Sequence, residues 1–377
     1  MINLIKKVFI LVFMVIIFVP LLFTNQKEDT VSEAENRVLS NKPNLYIDNK
    51  LNGHFLADFD EWIQDNIGFR ENIIKLDAQI QYHLFRQFSD KNYKLNETGE
   101  LNYIGQQVLA NYQHLNLYSE EELAQIISAF KDVNNYLNNK NIQFYYMQCW
   151  DKQSIYPEYF PKSVNQYGSN SACDQVIKAL NEKTDVYNIN LKEALITSKD
   201  DYEVYSKWGD PTHWTPRGAH VGYLQLMNSI NKNSNIQYRV LQEADYTHVT
   251  KDIGQTLSGT IHFRNPSEIL SLRNDTSEYT NEKFTIDAGD PRSTFLTNKT
   301  CDNNTRILII GDSYIHSYIL KDISQSFYET ILLWKWSMPD LKNLVEEYQP
   351  DIIVYEQAER EKSFSDIIDA AESLKSN

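Results

Sequence analysis

The sequence predicts an α/β fold, a mainly parallel sheet with helices on both faces, carried behind a single N-terminal transmembrane helix. Three observations point that way. Short apolar runs alternate with helical patterns along most of the chain, the strand candidates are apolar throughout as buried parallel strands are, and an uncharged apolar run stands at the amino terminus.

Lys6 and Lys7 precede Val8 to Thr24, 17 residues without a charge. That is near the lower limit for crossing a hydrocarbon layer of about 30 Å, and Ile2 to Ile5 lengthen it. Basic residues before the run, with Glu28, Asp29, Glu33 and Glu35 after it, predict a single-pass cell-membrane protein with its N-terminus in the cytoplasm and its catalytic part extracytoplasmic. A cleaved signal peptide is the alternative. NQKEDT follows without a small-x-small cleavage site, which favours a retained signal anchor over residues 1–24.

Residues 25–90 read as a tether and helical lead-in. Asn25 to Leu51 is polar; Phe55, Phe59, Trp62 and Ile63 then recur at helical spacing until Gly68, and a second helix is predicted from Glu71 to Phe88. The main domain, 91–377, begins its alternation with a helix over Glu120 to Leu137 and a strand over Ile142 to Gln148. Helix and strand recur at Cys173 to Glu182 and Val186 to Leu191, and a helix over Arg217 to Ile230 follows Pro216. The C-terminal part continues with a strand at Arg306 to Ile310, a helix from Tyr314 to Ile323, a strand at Thr330 to Trp336, a helix from Pro339 to Tyr348, a strand at Asp351 to Tyr355 and a last helix from Phe364 to Ser373. Between them, residues 233–305 are rich in Asn, Ser, Thr and Asp, with Gly254, Gly259, Gly289, Pro266 and Pro291 as breakers. This is too long for a bare loop and is expected to be an insertion with a few strands over the sheet edge near the site.

Of the 377 residues, 42% are apolar and 23% charged, an ordinary globular mixture. The net charge of −15 and the lack of a basic stripe exclude a general nucleic-acid-binding role. With 24 Tyr, 17 Phe and 6 Trp against 12 Gly, the chain has aromatics for a packed core and for surfaces that stack on sugar rings. Cys149, Cys173 and Cys301 are too few for a disulfide framework and lack metal-ligand spacing; one bridge outside the cell is open, its pair undetermined. No cofactor or metal is expected.

The chemistry concentrates in two segments. The apolar run ending at Ile310 passes into Gly311-Asp312-Ser313, and a helical pattern starts at Tyr314, which would set the serine hydroxyl at the C-terminal edge of the sheet and at a helix N-terminus. The triplet alone is ordinary turn and cap chemistry. Upstream, Trp208-Gly209-Asp210-Pro211-Thr212-His213-Trp214-Thr215-Pro216 offers a base and an orienter: Asp210 can turn back to accept from Nδ1 of His213, leaving Nε2 for the serine proton. A surface turn is the plain reading of Asp210 and His213 taken alone. Together the two segments supply nucleophile, base and orienter. His220 reads as a packing residue, and His316, one turn past Ser313, as a residue flanking the site.

At these residues the chain resembles the SGNH hydrolase-like domain family of alginate O-acetyltransferase type, AlgX- and AlgJ-like, which acetylates bacterial exopolysaccharide and cell-wall polymers. The resemblance rests on Glu35-Asn36-Arg37-Val38-Leu39 with Lys42-Pro43, Phe59 to Arg70, Lys152 to Pro157, the run from His213 to Ala219, the Gly-Asp-Ser strand, and Pro350 to Arg360. It implies a circularly permuted SGNH-hydrolase-like fold, in which the Asp/His loop precedes the serine, and assigns Ser313, His213 and Asp210 as nucleophile, base and orienter. One departure stands out: the family places Asp two residues before His, where this chain has Pro211, and Asp210 is three before.

The resemblance implies an extracytoplasmic O-acetyltransferase acting on a polysaccharide through an acetyl-serine intermediate, with a multipass membrane-bound O-acyltransferase as acetyl donor. Lys152 and Arg360 stand in family-like segments as candidates for holding substrate or oxyanion, with structural ion pairs as the other reading. Trp208 and Trp214 are candidates for sugar stacking, with core packing as the other reading. A polysaccharide acetyl esterase with the same triad, and a non-catalytic polysaccharide-binding component of an acetylation complex, are the alternatives the residues leave open.

Overall fold

The computed structural model describes every residue except 1, 33, 36, 106, 281–289, 291, 362 and 376–377. Glu33, Asn36, Gly289 and Pro291 of the sequence reading therefore lie outside the described residues. The chain forms two compact units, residues 1–91 with 255–263 and residues 92–254 with 264–377.

In the first unit, α1 (Ile2–Leu22) runs unbroken through Pro20. Its Leu4–Leu22 stretch is long and apolar enough to cross a membrane, a property that anchors and signal sequences share, and none of it is buried. Helices α2 (Phe55–Asn66) and α3 (Arg70–Phe85) follow, with Phe59 packed on the buried Trp62. Between them Gly68 donates its N–H to the Pro20 carbonyl at 3.1 Å, and a Cβ there would meet that oxygen at 2.6 Å. Only glycine allows so close an approach.

The described residues of 25–51 are more ordered than the polar tether the sequence predicts. Arg37 grips Asp65 on α2 through both terminal nitrogens, at 2.5 and 2.7 Å, and Ser40 N–H adds a third bond to that carboxylate at 2.9 Å. The Arg37 guanidinium holds Asp65 well below the usual carboxylate range. Pinned at that point, the segment forms two small hairpins, Val31–Ser32 with Arg37–Val38 and Tyr46–Ile47 with Lys50–Leu51.

The second unit is built on one sheet. Its elements are α4 (Glu120–Asn138), β1 (Gln143–Cys149), α5 (Ala172–Lys183), β2 (Tyr187–Ile189), α6 (Leu191–Ser198), α7 (Pro216–Asn233), β3 (Glu278–Tyr279), β4 (Thr294–Thr297), β5 (Arg306–Gly311), α8 (Ser313–His316), α9 (Leu320–Ser324), β6 (Glu329–Trp334), α10 (Leu341–Tyr348), β7 (Ile352–Ala358) and α11 (Ser365–Lys375). Among the described residues the strand order is β3-β4-β6-β5-β7-β1-β2, with β6, β5, β7, β1 and β2 mutually parallel and β4 antiparallel to both its neighbours.

Alternate residues of β5 explain why its whole run is apolar. Ile307 and Ile309 enter a core shared with α6, α7 and α9, whereas Leu308 and Ile310 enter one shared with α4, α5, α10 and α11. A parallel strand covered on both faces has no polar side to show. The cysteines do not pair: Cys149, Cys173 and Cys301 are all free thiols.

Two expectations change. The insertion does not simply lie over the sheet edge, because its β3 and β4 extend the sheet beyond β6, and Tyr246–Asp252 pairs with Pro266–Leu272 as a separate hairpin. Residues 255–263 depart altogether and belong to the first unit. The single helix predicted over Tyr314 to Ile323 is two short ones, because Tyr318 N–H reaches back three residues to Ile315 at 3.3 Å and tightens the turn between α8 and α9.

Helix α7 starts where Thr215 caps it, accepting from Gly218 N–H at 3.1 Å, with Pro216 in the first turn. A Cβ on Gly218 would meet the Val204 carbonyl oxygen at 2.2 Å, and one on Gly222 would meet the Trp214 ring at 2.6 Å. Glycine to alanine inside a helix ordinarily stabilises by about 0.5–1 kcal/mol. Gly218→Ala is expected to do the opposite, lowering the unfolding free energy by about 1–3 kcal/mol in a denaturant titration.

Candidate active site

Strand β5 ends in the middle of the sheet, between β6 and β7, and delivers Gly311, Asp312 and Ser313 to its C-terminal edge. The turn is held from the neighbouring strand. Asp312 N–H donates to Glu356 of β7 at 2.8 Å, and a Cβ on Gly311 would lie 2.9 Å from the same carboxyl oxygen. Glu356 is fully buried, and burial, then the neighbouring Asp312 carboxylate, pushes its carboxyl well up from the usual range. Asp312 caps α8 by accepting from Tyr314 N–H at 2.9 Å. Ser313 is the first residue of that helix, and its N–H has no acceptor within the helix. At four residues α8 sums few peptide dipoles, so the electrostatic help expected from a long helix reduces to local N–H groups.

The second segment is fixed on both sides of its histidine. Asp210 accepts from Thr212 N–H at 2.8 Å and from the Thr212 hydroxyl at 2.5 Å, closing a turn over Pro211. Beyond His213, Trp214 is 1% exposed, edge-on to Tyr314 with ring centroids 5.1 Å apart. Thr215 then bonds back to Glu203 and Val204.

This brings the three residues into one line. His213 Nδ1 lies 2.7 Å from Asp210 Oδ2, and Nε2 lies 2.7 Å from Ser313 Oγ. The carboxylate calls for the proton on Nδ1, which leaves Nε2 as the acceptor facing the hydroxyl. Burial pushes the Asp210 carboxyl up, but bonds from His213 and Thr212 outweigh it and hold the group below the usual range, ionised at neutral pH. The turn at Pro211 explains how an aspartate three residues before the histidine reaches it.

The other candidates separate. Arg360 borders the same cleft, nearly buried, ion-paired with Asp151 and 5.3 Å over the Tyr314 ring. Trp214 is a core residue and has no face for a sugar. Lys152 is 2% exposed and donates to the Leu101 carbonyl at 2.7 Å; burial brings its amine down to about 7, and it does not line the cleft. Trp208 ties its Nε1 to the Gly99 carbonyl at 3.0 Å and is likewise not a cleft residue. His316 does not line the cleft itself but packs edge-on at 6.2 Å against Trp334, which does, and so flanks the site. His220 is a packing residue, edge-on to Tyr246 at 5.1 Å.

The cleft, about 350 Å³, is also lined by residues the sequence does not single out: Tyr93, Tyr103, Arg292, Trp334, Lys335, Trp336 and Glu361. Trp334-Lys335-Trp336 at a strand end was a usable signal, since β6 neighbours the serine strand. Arg292 carried none, standing in an irregular segment.

The family model described as SGNH hydrolase-like domain, acetyltransferase AlgX, matches residues 109–328, which include Asp210, His213 and Ser313. The chain belongs to that family. The AlgX-family domain is also similar in fold to Bacillus cereus PatB1, with a TM-score of 0.54 and 16% identity over 73% of this chain and 98% of that one. PatB1 with a sulfonyl adduct gives 0.53 and 18% identity over 72% and 98%. The O-acetyltransferase domain of Pseudomonas putida AlgJ gives 0.50 and 15% identity over 75% and 99%. No curated protein matches the sequence.

Beneath the cleft Glu359 is fully buried, accepting from Asp151 N–H at 2.9 Å and from the Ser154 hydroxyl at 2.8 Å. Burial, and then the nearby Asp151 carboxylate, push it up to about 8. A carboxyl raised on folding stabilises fully below its unfolded value and loses that contribution as pH rises through the folded one. A Gln amide can accept from Asp151 N–H through its oxygen and donate to the Ser154 hydroxyl through its NH2, without titrating. Glu359→Gln should therefore gain thermal stability relative to the parent as pH rises from about 5 to 9, the two converging at the acid end.

Proposed function

We propose that this AlgX-family protein is an extracytoplasmic polysaccharide O-acetyltransferase that works through an acetyl-Ser313 intermediate. One observation carries the reading: the continuous Asp210–His213–Ser313 hydrogen-bond line at the rim of an open cleft. His213 Nε2 takes the Ser313 proton as Oγ attacks the acetyl carbonyl, and the Ser313 N–H is placed to meet the oxyanion. Collapse of that intermediate expels the donor's oxygen, which takes the proton back from His213. In the second half a sugar hydroxyl gives its proton to His213 and attacks the acetyl-serine, and the serine leaves reprotonated. Asp210 orients the ring and stabilises the imidazolium in both halves. The order Asp210, His213, Ser313 is that of a circularly permuted SGNH chain.

The N-terminal apolar helix supports membrane attachment, and the basic-before, acidic-after charge pattern supports a cytoplasmic N-terminus. Acetyl groups must then reach Ser313 across the bilayer, the task of a multipass membrane-bound O-acyltransferase partner.

Full-length protein in detergent, given an acetyl ester and an oligosaccharide, should yield acetylated sugar, and Ser313→Ala should lower that rate by about 10³ or more. Acetate release without sugar acetylation, even at high acceptor concentration, would make the protein an esterase. Undiminished polymer acetylation in cells carrying only Ser313→Ala would make it a non-catalytic component.

A further inference from the structure

Strand β6 ends at Trp334, in register with Gly311, so the residues after it stand at the same sheet edge as Ser313, one strand away. Trp334 is 6% exposed and Trp336 53% exposed, with ring centroids 6.1 Å apart. The Arg292 guanidinium lies over both, 3.7 Å from the Trp334 centroid and 5.3 Å from that of Trp336. Asp290 fixes that guanidinium with two bonds, at 2.8 and 2.6 Å. The result is a half-exposed indole face, held by Arg292 and by Lys335, whose Nζ lies 5.2 Å from the Trp336 centroid, on the wall of the cleft that holds the serine. Such a face is a large, rigid apolar surface with little entropy left to lose, suited to the C–H face of a pyranose ring.

The charges around it are already matched. Arg292 is paired with Asp290, Lys335 with Glu361 at 2.7 Å, and Arg360 with Asp151, so each of these cleft cations has its own carboxylate. Asp312 also lines the cleft, and the chain carries a net charge of −15. A polyanion would meet long-range repulsion and would have to displace a carboxylate to gain an arginine.

We infer that Trp336, braced by Trp334 and Arg292, is the stacking platform for the acceptor, and that the acceptor is an uncharged pyranose polymer rather than a polyuronate. This rests on the transferase reading. The test is a set of acetyl-transfer assays with full-length protein, one acetyl ester donor, and either a neutral oligomer (chitopentaose or cellopentaose) or a galacturonate pentamer. At least one neutral oligomer should be acetylated with a kcat/KM about tenfold or more above the uronate, with little dependence on salt. Trp336→Ala should raise the KM for that oligomer about tenfold, and Trp336→Phe, which keeps a ring, should restore most of it. A uronate that is the better acceptor, or an unchanged KM in Trp336→Ala, overturns the assignment while the transferase reading stands. Acetate release with transfer to none of the oligomers removes the transferase reading and the assignment with it.

Discussion

The 2.7 Å contact between His213 Nε2 and Ser313 Oγ joins residues a hundred positions apart, and no local preference brings them together. Each must be delivered by its own scaffold. Ser313 arrives on a central strand, clamped by β6 and β7, whose apolar run is buried in two cores. His213 arrives on a loop that has no regular structure of its own and is fixed by its neighbours instead, the Asp210–Thr212 turn before it and buried Trp214 after it.

The two scaffolds share material. Tyr314, directly after the serine, packs against the His213 ring at 5.0 Å and against Trp214 at 5.1 Å, and Arg360, paired with buried Asp151, lies 5.3 Å over its ring. Below them Glu356 accepts from Asp312 N–H, and Glu359 accepts from Asp151 N–H. Burying so many ionisable groups is costly unless each is hydrogen-bonded or paired. Here they hold the serine turn and the cleft arginine in one geometry, a rigid support of the kind a reacting constellation needs.

Much of this was legible in the sequence because it depends on local pattern. The strand Arg306–Gly311 is an unbroken apolar run, and Thr215-Pro216 marks the start of α7 by cap and proline chemistry. What escaped depends on long-range partners. Nothing local shows that Arg37 will find Asp65 and order the tether, or that Thr294–Thr297 will join the sheet antiparallel beside β6. Trp208 and Trp214 attract the sugar-binding reading because they flank His213, yet one is tied to Gly99 and the other is buried against Tyr314. Trp336 does the opposite: far from the motif in sequence, it reaches the cleft because the strand it follows lies next to the serine strand.

In the proposed mechanism the acetyl group is carried by Ser313 Oγ. Full-length protein mixed with an acetyl ester and quenched in acid before acceptor is added should show one acetyl group by intact mass, mapped by peptide sequencing to Ser313 and discharged when acceptor follows. An acetyl group on another residue, or productive transfer with no acetyl-enzyme at any time point, would contradict it.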